Sequence, residues 1–179
     1  MDDSQLIAGC LDGRVDEYRK IVEKYQGKMM AIALNILGNK EDAEDVCQEA
    51  FIRAYRHLDR FDPEKNFRVW ISSIVCRCCF DVLRRKRRFF SFLARSRREL
   101  AVNFPPEALH PERVSHLPDK LLDQLSPRER MAVVLWAGES CSSSEIAEVM
   151  GCSSSTARVY LFSARKKIKG SMEKAHASM

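Results

Sequence analysis

Apolar residues recur every three or four positions along most of the chain, and no stretch shows the two-residue alternation of a half-buried strand. Since only 7 Gly and 6 Pro interrupt these patterns, the sequence predicts an all-α protein. The strongest pattern, in residues 67–88, predicts a helix with one apolar stripe and an opposite polar face. The predicted stripe is Phe67, Trp70, Ile71, Ile74, Val75, Cys78 and Val82, and the predicted polar face is Arg68, Ser72, Ser73, Arg77, Asp81 and Arg84.

Three more helices are predicted upstream, beginning with a short one over residues 4–10 and a long amphipathic one over residues 15–37. Gly38 suits the left-handed position that ends a helix, and Asn39 is a good N-cap for the third. The stripe that the third helix buries is predicted as Ala43, Val46, Cys47, Ala50, Phe51, Ala54 and Leu58. Its outward-facing polar residues, for which a solvated face is the ordinary explanation, are Asp45, Gln48, Glu49, Arg53 and Arg56.

Two segments lack helical periodicity. Residues 61–66 are predicted to form a loop, because Pro63 disfavours helix at the residue before it. Residues 99–118 contain four of the six prolines and are predicted to be a flexible linker. The chain therefore divides into a helical domain over residues 1–98, the linker, and a second small helical domain over residues 119–179.

The second domain carries the clearest helix-start signals in the chain. Ser126 and Glu129 form a capping box, and Pro127 occupies the first helical position between them. These residues predict a helix that contains Met131 and ends at Gly138. In the first domain, residues 89–93 follow the basic run. They either extend the last helix of that domain or form a separate apolar patch.

A second capping box at Ser142 and Glu145 opens a short helix, Gly151 allows a sharp turn, and Ser153 caps a further helix. This order predicts a helix-turn-helix, for which a plain three-helix bundle is the alternative. Residues on the side of the second helix that would enter a major groove are Ser154, Ser155, Arg158, Val159 and Phe162. The cations that follow at positions suited to phosphates are Arg165, Lys166, Lys167 and Lys169.

The formal net charge of +5 is unevenly distributed. Residues 1–83 carry 12 Lys and Arg against 15 Asp and Glu, whereas residues 84–98 carry eight cations and no anion. The five consecutive cations Arg84–Arg88 repel one another and need a polyanion or solvent. They therefore suit a nucleic-acid backbone, and the alternative is the solvated end of an ordinary amphipathic helix.

Seven cysteines, an odd number at irregular spacing, suit a reducing cytoplasm better than a disulfide framework. The N-terminus shows no signal-peptide pattern, and no apolar run approaches the length of a membrane helix. Neighbouring cysteines at Cys76, Cys78 and Cys79 point in different directions on a helix, and no nearby His completes a tetrahedral site. We predict inert packing with no metal or cofactor, and a redox switch is the alternative.

With both domains in view, the chain resembles the extracytoplasmic-function group of bacterial sigma factors over nearly its whole length. Segments that match the family's pattern occur in the family's order. The segments are residues 42–51 (DAEDVCQEAF), 67–71 (FRVWI), 81–85 (DVLRR), 145–147 (EIA), 155–158 (STAR) and 164–167 (ARKK). The family commonly has a Gly near the helix-turn-helix entry, where this chain has Ser140.

The resemblance implies that the chain binds core RNA polymerase and directs promoter-specific initiation without being an enzyme. Asp45, Gln48, Glu49 and Arg53 would dock on the coiled coil of the largest polymerase subunit. The loop would hold a base flipped out of the −10 element, and the helix-turn-helix would read the −35 element. The implied −10 residues are Phe61, Asp62, Lys65, Asn66, Arg77, Arg84, Arg85 and Arg88. The implied −35 residues are Ser154, Ser155, Arg158, Val159, Phe162, Arg165 and Lys166. Promoter DNA and an anti-sigma factor are the further implied partners, with no membrane insertion.

Two other classes of function compete with this interpretation. A conventional helix-turn-helix regulator with a helical sensor domain would bind duplex DNA without polymerase, usually as a dimer on a palindrome. A thiol-dependent enzyme would use the cysteine cluster, but no Cys/His/acid set, phosphate-binding Gly loop or paired-carboxylate motif supports it.

Overall fold

The computed structural model describes residues 2–100, 119–122 and 124–177, and the side chains of residues 2–89, 121–122 and 124–173. Its helices are α1 (Asp3–Leu11), α2 (Val15–Leu37), α3 (Lys40–Arg56), α4 (Phe67–Leu100), α5 (Asp119–Leu122), α6 (Pro127–Glu139), α7 (Ser143–Met150) and α8 (Ser154–Ala177), with a 3₁₀ turn at Leu58–Arg60. None of these described segments is a strand. Within the same ranges, no helix has the length and apolar character to cross a bilayer.

The predicted caps begin and end these helices as expected. Gly38 and Gly151 are left-handed, with φ of 68° and 62°. The Asn39 side chain accepts a hydrogen bond from the Asp42 N–H at 2.8 Å. Both capping boxes in the C-terminal half form with reciprocal hydrogen bonds. Because caps act within one turn of a helix, the local sequence determines them.

The end of α6 differs from the prediction. The helix continues past Gly138 to Glu139, and Ser140 takes the left-handed conformation with φ of 53°. The Cys141 N–H closes the helix by donating to the Leu135 carbonyl at 3.1 Å. The helix therefore ends one residue later than predicted, and the Cys141 side chain that follows it is buried. Burial of this side chain accompanies a strained backbone at Ser140.

Helix α4 is buried more completely than its sequence pattern predicts. All seven residues of the predicted stripe are buried or half-buried, which confirms that face. However, Ser72 and Ser73 were expected on the polar face and are buried, as are Val69, Cys76 and Cys79. The Ser73 hydroxyl donates to the Trp70 carbonyl at 2.7 Å. The Ser72 hydroxyl lies 3.9 Å from the Met29 sulfur of α2, and a second layer of helices covers a further side of α4.

That second layer is the C-terminal half of the chain. Helix α7 packs on α4, and α6 packs on α2. Buried Ile71 and Val75 of α4 belong to the same apolar cluster as Met131, Ile146 and Val149 of α6 and α7. A smaller cluster holds α5, α6 and α8 together through Leu122, Leu125, Val133 and Ala164. The described parts of the two predicted domains thus share one continuous core.

Helix α4 continues through residues 89–93 as far as Leu100, so this segment extends the helix and is not a separate element. Its side chains from residue 90 onward lie outside the described part of the structure. Most of the predicted linker, residues 101–118, also lies outside it. The predicted boundary at residue 98 remains a prediction.

Candidate nucleic-acid interface

The turn between α7 and α8 brings two helices close together and leaves the start of α8 on the surface. Ala147 and Ala157 are buried where the two helices approach each other. At the start of α8, Arg158 and Val159 are exposed, and Phe162 is 73% exposed. A protruding helix start with a cation and apolar side chains can read base edges and thymine methyl groups in a major groove.

Serine hydroxyls organise the first turn of this helix. The Ser153 hydroxyl accepts from the Thr156 N–H at 3.2 Å and lies 2.8 Å from the hydroxyl of Ser155. Ser154 is half-buried, whereas Ser155 is exposed. Of these two predicted −35 residues, Ser155 is therefore the more accessible to DNA.

Three of the predicted phosphate-binding cations on α8 have intramolecular partners, and one of them is Lys169, which lies 3.8 Å from Glu173. Arg165 lies 5.7 Å from the centre of the exposed Trp136 ring, which keeps its guanidinium on the surface. Lys167 instead pairs with buried Glu129 at 2.7 Å. Lys166, by contrast, is exposed. Arg165 and Lys166 remain accessible to DNA phosphates, whereas Lys167 helps to anchor α8 on α6.

The carboxylate of Glu129 is the buried centre of the C-terminal half. Burial alone would raise its pKa, but hydrogen bonds from Lys167, the Ser163 hydroxyl and the Ser126 N–H lower the pKa to about 2. The carboxylate is therefore ionised at neutral pH and holds the start of α6 against the middle of α8. The sequence revealed only its capping role, because Ser163 and Lys167 reach it through tertiary packing.

The loop over residues 61–66 is held by its own hydrogen bonds. The Asp62 side chain accepts from the Glu64 N–H at 3.1 Å, and the Asn66 side chain caps α4 by accepting from the Arg68 N–H at 3.0 Å. Lys65 lies 3.8 Å from the carboxylate of Glu148 in α7. The polar side chains of this loop are exposed, so an extruded base could reach them.

Phe61 was predicted to contact DNA, but its ring is buried and only 8% exposed. It packs against Phe67 and Trp70, each with ring centroids 5.3 Å away. Phe67 is buried in the core and Trp70 is half-buried. These three rings form an aromatic cluster that supports the loop from beneath. Phe61 is not available for contact with a base in this conformation.

The basic strip on α4 is accessible. Arg77, Arg84, Arg85 and Arg88 are all exposed, and Lys86 pairs with Asp42 of α3. A groove of about 380 Å³ beside the strip is lined by Phe80, Leu83, Arg84, Arg87, Ser126, Pro127, Arg128 and Tyr160. The guanidinium of Arg128 lies 5.4 Å from the centre of the Phe80 ring. The sequence pattern did not single out Arg128, since only the packing of α6 brings it to α4.

The four predicted polymerase-binding residues lie along one exposed ridge of α3 with a groove on each side. Gln48 lines an apolar groove of about 670 Å³ between α2 and α3. Asp45, Glu49 and Arg53 line a polar groove of about 570 Å³ between α3 and α4. Arg53 bonds Glu49 at 2.6 Å and lies 3.8 Å from Asp81. The ridge therefore presents both charges and an adjacent apolar surface.

The cysteine cluster is buried. Burial raises the pKa of Cys76, Cys78 and Cys79, and it raises the pKa of Cys47 to about 12. Thiols of this kind are poor nucleophiles because so little thiolate is present. In the part of the chain that the structure describes, no three His, Cys, Asp or Glu residues are placed to hold a metal ion. This environment supports the predicted packing role.

Comparison with known proteins gives two family matches. Residues 21–89 match the family described as Sigma-70 region 2. Residues 119–168 match the family described as Sigma-70, region 4. The first match covers most of α2 and continues to the basic strip of α4, and the second covers α5 to the middle of α8. Both therefore coincide with the surfaces described above.

Individual relatives agree with these matches. The chain is 39% identical over 75 residues to the ECF RNA polymerase sigma factor SigW of Bacillus subtilis, covering 42% of this chain and 40% of SigW. It is 29% identical over 165 residues to the ECF RNA polymerase sigma factor SigE of Mycolicibacterium smegmatis, covering 89% of this chain and 62% of SigE. The chain thus spans less than two thirds of either relative's length.

The fold also resembles that of a solved structure. CnrH, solved in complex with the cytosolic domain of CnrY, superposes with a TM-score of 0.71 at 24% identity. The match covers 96% of this chain and 97% of CnrH. At this identity, the comparison establishes the shared helical fold.

Proposed function

Since the chain belongs to the sigma-70 family, in its extracytoplasmic-function group, we propose that it binds core RNA polymerase and directs promoter-specific transcription initiation. The observation that carries the proposal is the presence of both sigma modules on one chain, in order, each with an accessible charged surface. Such a subunit recognises the promoter, and the polymerase catalyses RNA synthesis.

Reading of the −35 element is assigned to the start of α8. Arg158 is exposed there, and an arginine guanidinium can make a bidentate contact with a guanine edge. Val159 and Phe162 offer apolar surface to thymine methyl groups. Ser154, Ser155, Arg165 and Lys166 flank them and would contact backbone or base edges.

Reading of the −10 element is assigned to the loop before α4. Asp62, Lys65 and Asn66 present polar groups to a base extruded from the melted strand. Arg77 lies further along α4. Arg84, Arg85 and Arg88 would hold phosphates electrostatically, without reading sequence. Phe61 would support this site through the aromatic cluster and would not touch the base.

Polymerase binding is assigned to the ridge of α3. Its charges lie off the buried stripe, where a partner can reach them, and the apolar groove beside Gln48 supplies surface that a helical partner can cover. By analogy with the group, an anti-sigma factor is a further proposed partner. It would compete for surfaces that polymerase also needs.

The decisive experiment combines core-polymerase co-purification with transcription from a promoter library randomised at −10 and −35. We expect binding in the nanomolar to micromolar range and enrichment of one sequence at each element. A conventional regulator would instead bind duplex DNA tightly without polymerase and would not initiate transcription.

The matched variants are Glu49→Lys with Asp45→Lys, and the control Glu23→Lys on the exposed surface of α2. We expect the double reversal to weaken polymerase binding at least 100-fold. It should change the free energy of unfolding by no more than about 1 kcal/mol, because exposed pairs such as Glu49–Arg53 contribute little. Glu23→Lys should change neither quantity. Retention of full polymerase binding by the double variant would refute the assignment of the ridge.

A further inference from the structure

The groove of about 380 Å³ where α4, α6 and α8 meet has a composition that polymerase and promoter binding do not explain. We name it the basic groove. Its volume falls within the roughly 300–1,000 Å³ of small-molecule sites in proteins, so its size suits a small ligand. The residues that line it are Phe80, Leu83, Arg84, Arg87, Ser126, Pro127, Arg128 and Tyr160.

Three exposed arginines from two helices converge on the basic groove. Arg84 and Arg87 are three positions apart on α4 and share one face of it. Arg128 reaches the groove from the first turn of α6. None of the three has an ion-pair partner among the residues that the structure describes, and none of the lining residues is acidic. Cations gathered without a counter-charge repel one another, and a bound anion would offset that repulsion.

The nearest carboxylates along α4 and α6 are engaged elsewhere. Asp81 lines the groove on the other side of α4, where the Arg53 guanidinium lies 3.8 Å from it. Glu129 is buried and pairs with Lys167 of α8 at 2.7 Å. Neither carboxylate lines the basic groove. The positive charge of the groove is therefore available to a ligand.

The other walls of the basic groove are aromatic and apolar. Phe80 and Tyr160 are half-buried, so part of each ring remains accessible. The Arg128 guanidinium lies 5.4 Å from the centre of the Phe80 ring, and a guanidinium stacked on a ring can still donate from its edge. An anion that also carries an aromatic ring matches both the cations and the apolar walls, whereas inorganic phosphate matches only the cations.

We propose that the basic groove binds a free nucleoside phosphate, with its base against Tyr160 and its phosphates between Arg84, Arg87 and Arg128. Base stacking on an aromatic ring tolerates any base, and arginine–phosphate pairs do not depend on the base, so the groove selects this class of ligand. The proposal goes beyond the proposed function, because neither polymerase nor promoter takes part. Arg84 is shared with the proposed −10 surface, whereas Arg87, Arg128 and Tyr160 are not.

Isothermal titration calorimetry of the full chain, without polymerase and without Mg²⁺, tests the site with ATP, GTP, tripolyphosphate and adenosine. We expect each nucleotide to bind one site per chain with a Kd on the order of 10–100 μM. Tripolyphosphate and adenosine should each bind at least about tenfold more weakly, because each supplies only part of the contacts. Equal affinity for tripolyphosphate would leave a general anion site and overturn the proposal, as would no binding of either nucleotide.

Arg128→Glu should lower the affinity for ATP at least about tenfold, because one arginine–phosphate pair is replaced by repulsion. An acidic residue in the first turn of α6 favours the positive end of that helix, so the fold should be retained, which urea unfolding checks. Arg19→Ala, an exposed arginine on α2 that does not line the groove, is the control and should bind ATP as the parent does. Unchanged ATP affinity in Arg128→Glu would overturn the site.

Tyr160→Ala should weaken ATP binding severalfold and leave tripolyphosphate binding unchanged, because stacking on the base is lost. Tyr160→Phe keeps an aromatic ring and should bind ATP as the parent does. Equal losses for ATP and tripolyphosphate in Tyr160→Ala, with Tyr160→Phe also impaired, would show that this side chain does not contact a base.

Photolabelling with 8-azido-ATP, followed by peptide mass spectrometry, locates the bound base in the folded parent chain. We expect the label on the peptide that contains Tyr160 or on that containing Phe80, with protection by excess ATP. Labelling confined to other peptides would overturn the assignment. Displacement of ATP by a deoxyadenosine oligonucleotide of about ten residues, at a lower concentration of nucleotide units, would assign the groove to a nucleic-acid strand and overturn binding of the free nucleotide.

Discussion

The two surfaces assigned to DNA recognition differ in how far the rest of the chain contacts them. At the start of α8, Arg158, Val159 and Phe162 project into solvent. In the loop before α4, Phe61 is buried, Asn66 caps a helix and Lys65 pairs with the other half of the molecule. The start of α8 is therefore accessible to duplex DNA, whereas several residues of the loop before α4 make contacts within the protein.

This difference matches the state of the DNA that each surface would meet. A major groove is accessible in an intact duplex, so a rigid and exposed helix suffices to read it. A base extruded from a melted strand appears only after polymerase has engaged the promoter. The following variants test this contrast, beginning with the largest expected effect.

The two phenylalanines predicted to touch DNA should behave oppositely. Phe61→Ala should lower the free energy of unfolding by about 3 kcal/mol, because it removes a buried ring from the aromatic cluster. Phe162→Ala should change it by no more than about 0.5 kcal/mol, since that ring is 73% exposed. Urea unfolding of both variants measures the difference, and similar losses would erase the contrast between the surfaces.

Glu129→Gln should destabilise the platform under α8 by about 2–3 kcal/mol at neutral pH. A pKa lowered from 4.5 to about 2 contributes stability that is fully present above pH 4.5. That contribution is lost as pH falls from 4.5 towards 2. The parent should therefore lose stability over this window and the variant should show a flatter profile. Parallel pH profiles in urea unfolding would show that the carboxylate does not anchor α8.

On the exposed surface of α8, one substitution should lower the sequence specificity of DNA binding and another should lower the affinity for DNA of any sequence. Arg158→Ala should lose about 1–3 kcal/mol of discrimination at one −35 base pair, because a bidentate base contact disappears. Lys169→Ala should weaken binding to all sequences alike and reduce the salt slope by about 1, as expected of a phosphate contact. Competition binding of the holoenzyme to randomised −35 sequences distinguishes them. A uniform loss from Arg158→Ala would make that residue a phosphate contact.

The smallest effects concern the two left-handed residues that flank α7. Ser140→Gly should raise the free energy of unfolding by about 0.5–1 kcal/mol, because Gly accepts a φ of 53° without strain. Gly151→Ser is the reciprocal change and should cost about 1 kcal/mol from backbone strain alone, as a Cβ there would meet open space. Thermal unfolding measures both, and a loss of stability in Ser140→Gly would contradict the strain at the α6 end.

Much of the local structure followed from the sequence because its causes are local. Asn39, Ser126 and Ser142 act as N-caps as predicted, and Gly38 and Gly151 take the predicted left-handed conformation. All seven residues of the stripe predicted for the third helix are buried, although Leu58 lies in the 3₁₀ turn after α3. Caps and stripes depend on neighbours within a turn or two, so a single sequence contains the necessary information.

The predictions that failed concern faces that distant segments cover. Ser72 and Ser73 were predicted to face solvent, yet both are buried, and the Ser72 hydroxyl lies 3.9 Å from the Met29 sulfur of α2. Phe61 was predicted to be a loop residue that contacts DNA, yet its ring packs against Phe67 and Trp70. The apolar pattern of one helix shows which of its sides is apolar. It does not show which distant segments pack against its other sides.

The sequence alone therefore determined the all-α class, the helix boundaries set by caps, the helix-turn-helix and the basic strip of α4. Only the tertiary structure decided that Arg68 reaches Glu139 and Glu145, that Glu129 holds Lys167, and that Arg128 joins the strip. The reason is physical. Hydrogen bonds within a turn are specified by adjacent residues, whereas a contact between residues 70 positions apart exists only after apolar burial has brought two helices together.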